Sequence, residues 1–283
     1  MHRYLYDFQW LLDMPSLISR PLPEWLEDRR PLADTDLPPD LAPSRALGPY
    51  FENLFAAVLA RDEKISGVRR NIQVTDEGIT KGEFDFLFYR DGQAHHVETT
   101  VKFYLGTGSC QRAQDWIGPG RRDRLDLKLA KMMDRQLQLS GTQAGRKTLQ
   151  ALGYETPDVH AFTRGCLFHP LENWVHGEFI TPDDVNPAHL KGWWTGEKNM
   201  EDILRQEAFW LELSKPFWLD VRTSLQQENI HSPEEMTARV SDRLAHGDRP
   251  VLLAALRNQN GGWREVHRGF IVPDNWSHLL SDL

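Results

Sequence analysis

Two stretches of the chain alternate apolar and polar residues with period two. Gly82-Glu83-Phe84-Asp85-Phe86-Leu87-Phe88-Tyr89 puts Phe84, Phe86 and Phe88 on one face and Glu83, Asp85 and Leu87 on the other. His95 to Leu105 puts Val97, Thr99, Val101, Phe103 and Leu105 on one face, and His96, Glu98, Thr100, Lys102 and Tyr104 on its opposite. Asp91-Gly92 between them is a hairpin-turn dipeptide. A turn centred there pairs Arg90 with Gln93, and counting inward sets Asp85 opposite Glu98. Side chains opposed in this way share a face, with Cβ atoms roughly 4.5–5.5 Å apart. A slip of one residue would oppose a Phe to Glu98 and mix the faces.

Helical spacing marks the flanks. Gly48-Pro49 reads as a helix start, and Phe51, Leu54, Phe55, Val58 and Leu59 form its apolar stripe. Arg69 to Thr75 reads as a first strand before the turn at Asp76-Glu77-Gly78. Asp123 reads as the cap of a second helix, with Asp126 completing a capping box. Leu125, Leu129, Met132, Met133 and Leu137 form its buried side. Val159 to Phe168 reads as a strand joining the sheet in parallel after this crossover. The order is αβββαβ: an α/β fold with a mixed sheet.

Before this core, a short helix fits ahead of Pro15. Pro31, Pro38, Pro39 and Pro43 then make an irregular connector. After the core, Glu197 to Leu213 suits a helix, Ser232-Pro233-Glu234-Glu235 opens another, and residues 250–272 read as a closing hairpin. The expected organisation is an N-terminal extension and Pro-rich connector over 1–45, a core over 46–170, and an α+β elaboration over 171–283 packed on that core. Core packing is the expected use of most of the late tryptophans, with base stacking the alternative.

With 283 residues, 40% hydrophobic and 26% charged, the chain has the composition of a globular protein. Its net charge of −8 excludes a uniformly basic surface but leaves room for a local basic groove. Two cysteines, Cys110 and Cys166, provide neither a disulfide framework nor a cysteine zinc site. No apolar run approaches the length of a membrane span, and Asp7 and Asp13 interrupt any signal-like segment, so a cytoplasmic protein without membrane partners is expected.

The candidate chemistry lies on the hairpin. Two opposed carboxylates repel each other and call for a cation, a shared proton or full hydration. Asp85 and Glu98 supply the hard oxygen ligands that suit Mg²⁺ or Mn²⁺. Lys102, on the Glu98 face and long enough to reach back, supplies a positive charge for a transition state. A half-exposed face with ordinary surface charges is the alternative. Between Arg112 and Arg135 seven basic residues face four acids. Arg121, Arg122, Arg124 and Lys128 within that stretch are candidates for holding a phosphate backbone, with a solvated helix face as the alternative. His96 shares the face of Glu98 and reads as a hydrogen-bonded structural residue.

Gly82-Glu83-Phe84-Asp85 followed by Glu98 and a Lys resembles the core of the PD-(D/E)XK nuclease-like superfamily. More closely, Leu47 to Leu54, the hairpin with Val101-Lys102-Phe103-Tyr104-Leu105, Asp123-Arg124-Leu125-Asp126 and Gly192-Trp193-Trp194 resemble a bacterial domain-of-unknown-function family grouped with that superfamily. The resemblance implies a restriction-endonuclease-like αβββαβ core and a metal-dependent phosphodiesterase acting on DNA or RNA. It also implies Asp85 and Glu98 as metal ligands, Lys102 as the catalytic cation, and Glu52, on the preceding helix, as a further acidic group. The usual Glu-x-Lys spacing would place the lysine at position 100, which is Thr here. A catalytically inactive scaffold that binds nucleic acid or a protein is therefore the alternative.

Overall fold

A computed structural model describes residues 4–27, 44, 46–225, 229–247 and 249–276. The connector expected over 31–43 lies outside them. The chain forms α1 (Leu5–Asp13), α2 (Leu47–Ala60), β1 (Ile65–Asp76), β2 (Ile79–Arg90), β3 (Gln93–Gly106), β4 (Trp116–Ile117), α3 (Leu125–Lys131), α4 (Gln143–Ala151) and β5 (Asp158–Pro170). The later part adds α5 (Leu171–His176), β6 (Leu190–Gly196), α6 (Met200–Leu204), β7 (Phe209–Leu213), α7 (Val221–Ser224), β8 (Ile230–His231), α8 (Pro233–Ala245), β9 (Val251–Gln259) and β10 (Gly262–Val272).

All ten strands join one mixed sheet in the order β1-β2-β3-β5-β6-β10-β9-β7-β8, with β4 paired to β3. β5 runs parallel to β3 along eleven paired positions, β6 parallel to β5, and β10 parallel to β6; the remaining pairs are antiparallel. The C-terminal third therefore extends the sheet through β6 and β10 rather than packing on a finished core. Strand β7 occupies the end of the stretch expected to be helical. Phe209-Trp210-Leu211-Glu212-Leu213 pairs with β9, burying Trp210 and Leu211 completely, and tertiary pairing overrides local helical preference there.

Helices cover both faces. α1 and α2 pack on one side, where Leu54 and Phe55 meet Phe86, Phe88, Val97 and Phe162. On the other side, Leu125, Leu129 and Met132 cover Tyr104, Ala161 and Leu167, while α6 and α8 cover Trp193, Trp210 and Leu253. Buried Asp7 accepts from the Tyr50 hydroxyl (2.8 Å) and the Asp220 amide (2.9 Å), tying α1 to α2 and to the turn before α7. Trp193, Trp210, Trp218 and Trp276 are all buried, so these rings serve packing.

The Ser232 start of α8 is formed as the sequence suggests: its Oγ accepts from the Glu235 amide (3.3 Å), and Glu235 accepts from the Ser232 amide (2.9 Å). Ser232→Ala is expected to lower stability by about 1 kcal/mol, read by urea denaturation, because two helix-end donors lose their arrangement.

Candidate active site

The β2–β3 hairpin has the expected register. Arg90 pairs with Gln93, and the ladder continues through Phe86↔Val97. Asp91 (φ 49°) and Gly92 (φ 82°) both take positive φ, as a tight primed turn requires. At the next pair the ladder stops. The Asp85 amide points at Glu98 Oε1 (3.4 Å), and the Asp85 carboxylate crosses to accept the Thr99 amide (2.8 Å). Each carboxylate thus takes the place of a backbone carbonyl, and β2 parts from β3 where the two acids meet.

The split also changes the faces. Phe86 and Phe88 pack against α2, but Phe84 packs with Val74, Leu87, Leu139 and Tyr154 beneath α4. The single Phe84-Phe86-Phe88 face expected from alternation is therefore broken. In neighbouring β1, Asn71 takes a positive φ of 53° between the pairs Arg70↔Phe86 and Ile72↔Phe84, which keep register.

Glu98 is fully buried. His96 Nε2 stands 2.8 Å from its Oε1, and the Gln136 amide donates to its Oε2 at 2.5 Å. Gln136 arrives from a π-helical turn (Met132–Gln136) that prolongs α3, a local distortion of the kind found at functional sites. Its Oε1 accepts from Lys128 Nζ (3.1 Å). Lys128, Gln136 and Glu98 form one chain of hydrogen bonds.

A cavity of about 1010 Å³ opens at this split. Asp85, Glu52, Thr99, Thr100, Lys102 and Lys128 line it, while Glu98 stands behind Asp85 and does not. Lys102 does not reach Glu98: its Nζ pairs with Asp123 Oδ2 at 2.5 Å. Asp123 is consequently not the expected helix cap, and Arg124 occupies the N-cap position of α3 without a side-chain cap. Arg121 and Arg122 line the cavity. Arg124 is turned to Asp126 in a bidentate pair (2.6 and 2.9 Å) and is not among the lining residues. Arg124→Gln, which removes a surface pair, is therefore expected to change stability by less than about 1 kcal/mol in urea denaturation.

The electrostatics follow from crowding. Burial first, then the nearby Glu98 and Glu52 charges, push Asp85 up to about 7; the Thr99 amide and Lys128 oppose this. Burial likewise raises Glu52, with Glu83 and Glu98 adding to it and Arg70 opposing. Lys128 is lowered by burial and by Lys102 and Lys131, and held up by Asp85 and Glu98. Like charges kept together with shifted protonation are characteristic of functional sites.

Glu52 and Asp85 offer oxygens to the cavity, and such donors suit a hard dication. The Glu98 oxygens are already occupied by His96, Gln136 and the Asp85 amide, so Glu98 supports Asp85 from behind instead of facing the cleft. Among the described residues, no group of three His, Cys, Asp or Glu side chains is close enough to enclose an ion. Sequence reasoning did not identify Gln136, because nothing in its spacing distinguishes it from other polar positions of the helix. It also missed the far wall, formed by Glu212, Ser214, Lys215, Trp218, Arg243 and Arg249.

The fold and site define an α/β protein with one large mixed sheet and an acidic group at the floor of a basic-walled cleft. Residues 6–272 match the family described as Domain of unknown function (DUF1853), and the chain belongs to that family. No curated protein and no solved structure matches it. Among the described residues, no helix is long and apolar enough to cross a membrane.

Proposed function

We propose that the protein is a metal-dependent phosphodiesterase acting on nucleic acid, with α2, β1, β2, β3, α3 and β5 as a nuclease-like core of the PD-(D/E)XK kind. One observation carries this reading. β2 and β3 part where Asp85 and Glu98 meet, and the parting opens into a cleft lined by seven basic side chains and four carboxylates, in a chain of net charge −8.

In this reading Asp85 and Glu52 hold Mg²⁺ or Mn²⁺, with Glu98 fixing the Asp85 backbone. A bound dication would lower the pKa of a water and offset charge on the phosphodiester. Lys128, Arg121 and Arg122 would hold the phosphate backbone. Lys102, tied to Asp123, contributes positive charge from the cleft wall. Thr100 stands at the usual lysine position, and half-buried Lys128 is a cation whose charge acts on both Asp85 and Glu98.

A second reading, a scaffold that binds nucleic acid without cutting it, is favoured by the fully engaged Glu98 and by Thr100. Incubation of the full chain with labelled single- and double-stranded DNA and RNA separates the two. Cleavage in Mn²⁺ that is absent in EDTA and lost in Asp85→Asn supports the enzyme. Binding without cleavage under every condition supports the scaffold.

A further inference from the structure

The cleft has two poles. Glu52 and Asp85 stand at one, on α2 and β2, while the opposite wall comes from the C-terminal third and carries Lys215 and Arg249. That third belongs to the far half of the sheet, yet residues just before β9 and at the end of β7 line the same cleft as those of β3. Several cations of the cleft are already committed. Lys102 pairs with Asp123, Arg243 with Glu212, and Lys128 donates to Gln136. Neither Lys215 nor Arg249 has an ion-pair partner among the described residues.

Lys215 also lies over the Trp218 ring, its Nζ 4.5 Å from the centroid. The buried ring holds the ammonium at the cleft wall instead of leaving it to sweep through solvent. Burial, with Lys102 and Arg249 nearby, pulls Lys215 below the usual lysine range, so the three cations share one electrostatic neighbourhood. Lys215 and Arg249, kept together without ion-pair partners of their own among the described residues, are stabilised by an anion.

We propose that Lys215 and Arg249, with Lys102 beside them, form a phosphate subsite. It holds a backbone phosphate of a single nucleic-acid strand that also runs past Asp85. The inference rests on the nucleic-acid reading above and adds the substrate class. The cavity is at the upper end of the size of small-ligand pockets, roughly 300–1,000 Å³, so it takes a short length of strand, while a duplex would have to stay outside. Cations without acid partners, on the wall of a cleft that also holds Asp85, suit a polyanion.

The test is fluorescence anisotropy of the full chain with a labelled oligothymidylate across a salt series, in EDTA so that the result does not depend on metal or cleavage. Lys215→Gln and Arg249→Gln are each expected to weaken binding about fivefold to tenfold and to flatten the dependence of log K on log salt by roughly 0.7. Lys215→Arg should keep both affinity and slope. Arg146→Gln, an exposed change on α4, should alter neither, and thermal melts confirm that each variant is folded. A duplex of the same sequence should bind more weakly and respond little to either substitution.

Unchanged affinity and slope in both Gln variants would overturn the subsite, as would a wild-type protein that retains no strand. A duplex that loses as much affinity as the strand would overturn the single-strand assignment. Slope changes without any metal-dependent cleavage would leave the subsite standing and remove the nuclease reading. Cleavage with unchanged slopes would do the reverse.

Discussion

At about pH 8 and without metal, Asp85→Asn is expected to be more stable than the wild type, by on the order of 2 kcal/mol. The folded protein raises Asp85 to about 7, because burial and the Glu98 charge disfavour its ionised form. A group raised in this way favours folding fully below its unfolded pKa of about 3.9, and that contribution disappears as the pH rises through about 7. Above that window the wild type holds an unfavourable charge that Asn lacks. Asn can still accept the Thr99 amide through Oδ1, and its amide can donate toward Glu98. The gap should therefore have largely closed by about pH 4, where Asp85 is neutral in the folded state. Urea denaturation in EDTA at the two pH values reads the difference. Added Mn²⁺ should stabilise the wild type and not the variant, since only the wild type keeps the full charge that binds it. An Asn variant less stable at both pH values would make Asp85 a structural acceptor.

Gly165→Ala is expected to destabilise the fold by roughly 3 kcal/mol or more, among the largest effects of any single methyl group here. Gly165 pairs with Lys102 in the parallel β3–β5 ladder. A Cβ added there would meet the Lys102 carbonyl oxygen at 2.0 Å and its amide nitrogen at 3.2 Å. Both contacts are backbone, so no side-chain rotation relieves them, and β3 must move away from β5. That movement displaces the strand carrying Lys102, Thr100 and Glu98. On the proposed function, loss of nucleic-acid affinity should accompany the fall in melting temperature. A variant with wild-type stability would show that the ladder is looser than its register implies.

Much of the central hairpin could be read from local chemistry. Asp91-Gly92 set the turn, the turn set the register, and the register brought Asp85 beside Glu98. Two positions departed from alternation for reasons that involve distant or side-chain partners. Phe84 turned beneath α4 because the ladder ends at Asp85, whose carboxylate substitutes for a backbone acceptor, and because β1 takes a positive φ at Asn71. Lys102 turned to Asp123, a residue expected to cap a helix, because a charged pair across the loop competes successfully with the cap.

The far wall of the cleft was the least legible part. Its residues sit on and just after β7, before β9 and on α8, and their place in the cleft with Asp85 depends on β10 entering the sheet beside β6. Such pairing joins segments far apart in the chain, and no local period encodes it. The same holds for Gln136, which reaches Glu98 only because α3 loosens into a π-turn.

The proposed function centres on a cation held by Asp85 and Glu52 where β2 and β3 part. Isothermal titration of the metal-free chain with Mn²⁺ at about pH 8 tests it most directly, because it needs neither a substrate nor turnover. One site is expected in the wild type, weakened by at least tenfold in Glu52→Gln and abolished in Asp85→Asn, with the Gln136 and Glu98 pair intact in both. A wild-type protein that takes up no Mn²⁺, or one whose binding survives Asp85→Asn unchanged, would contradict it.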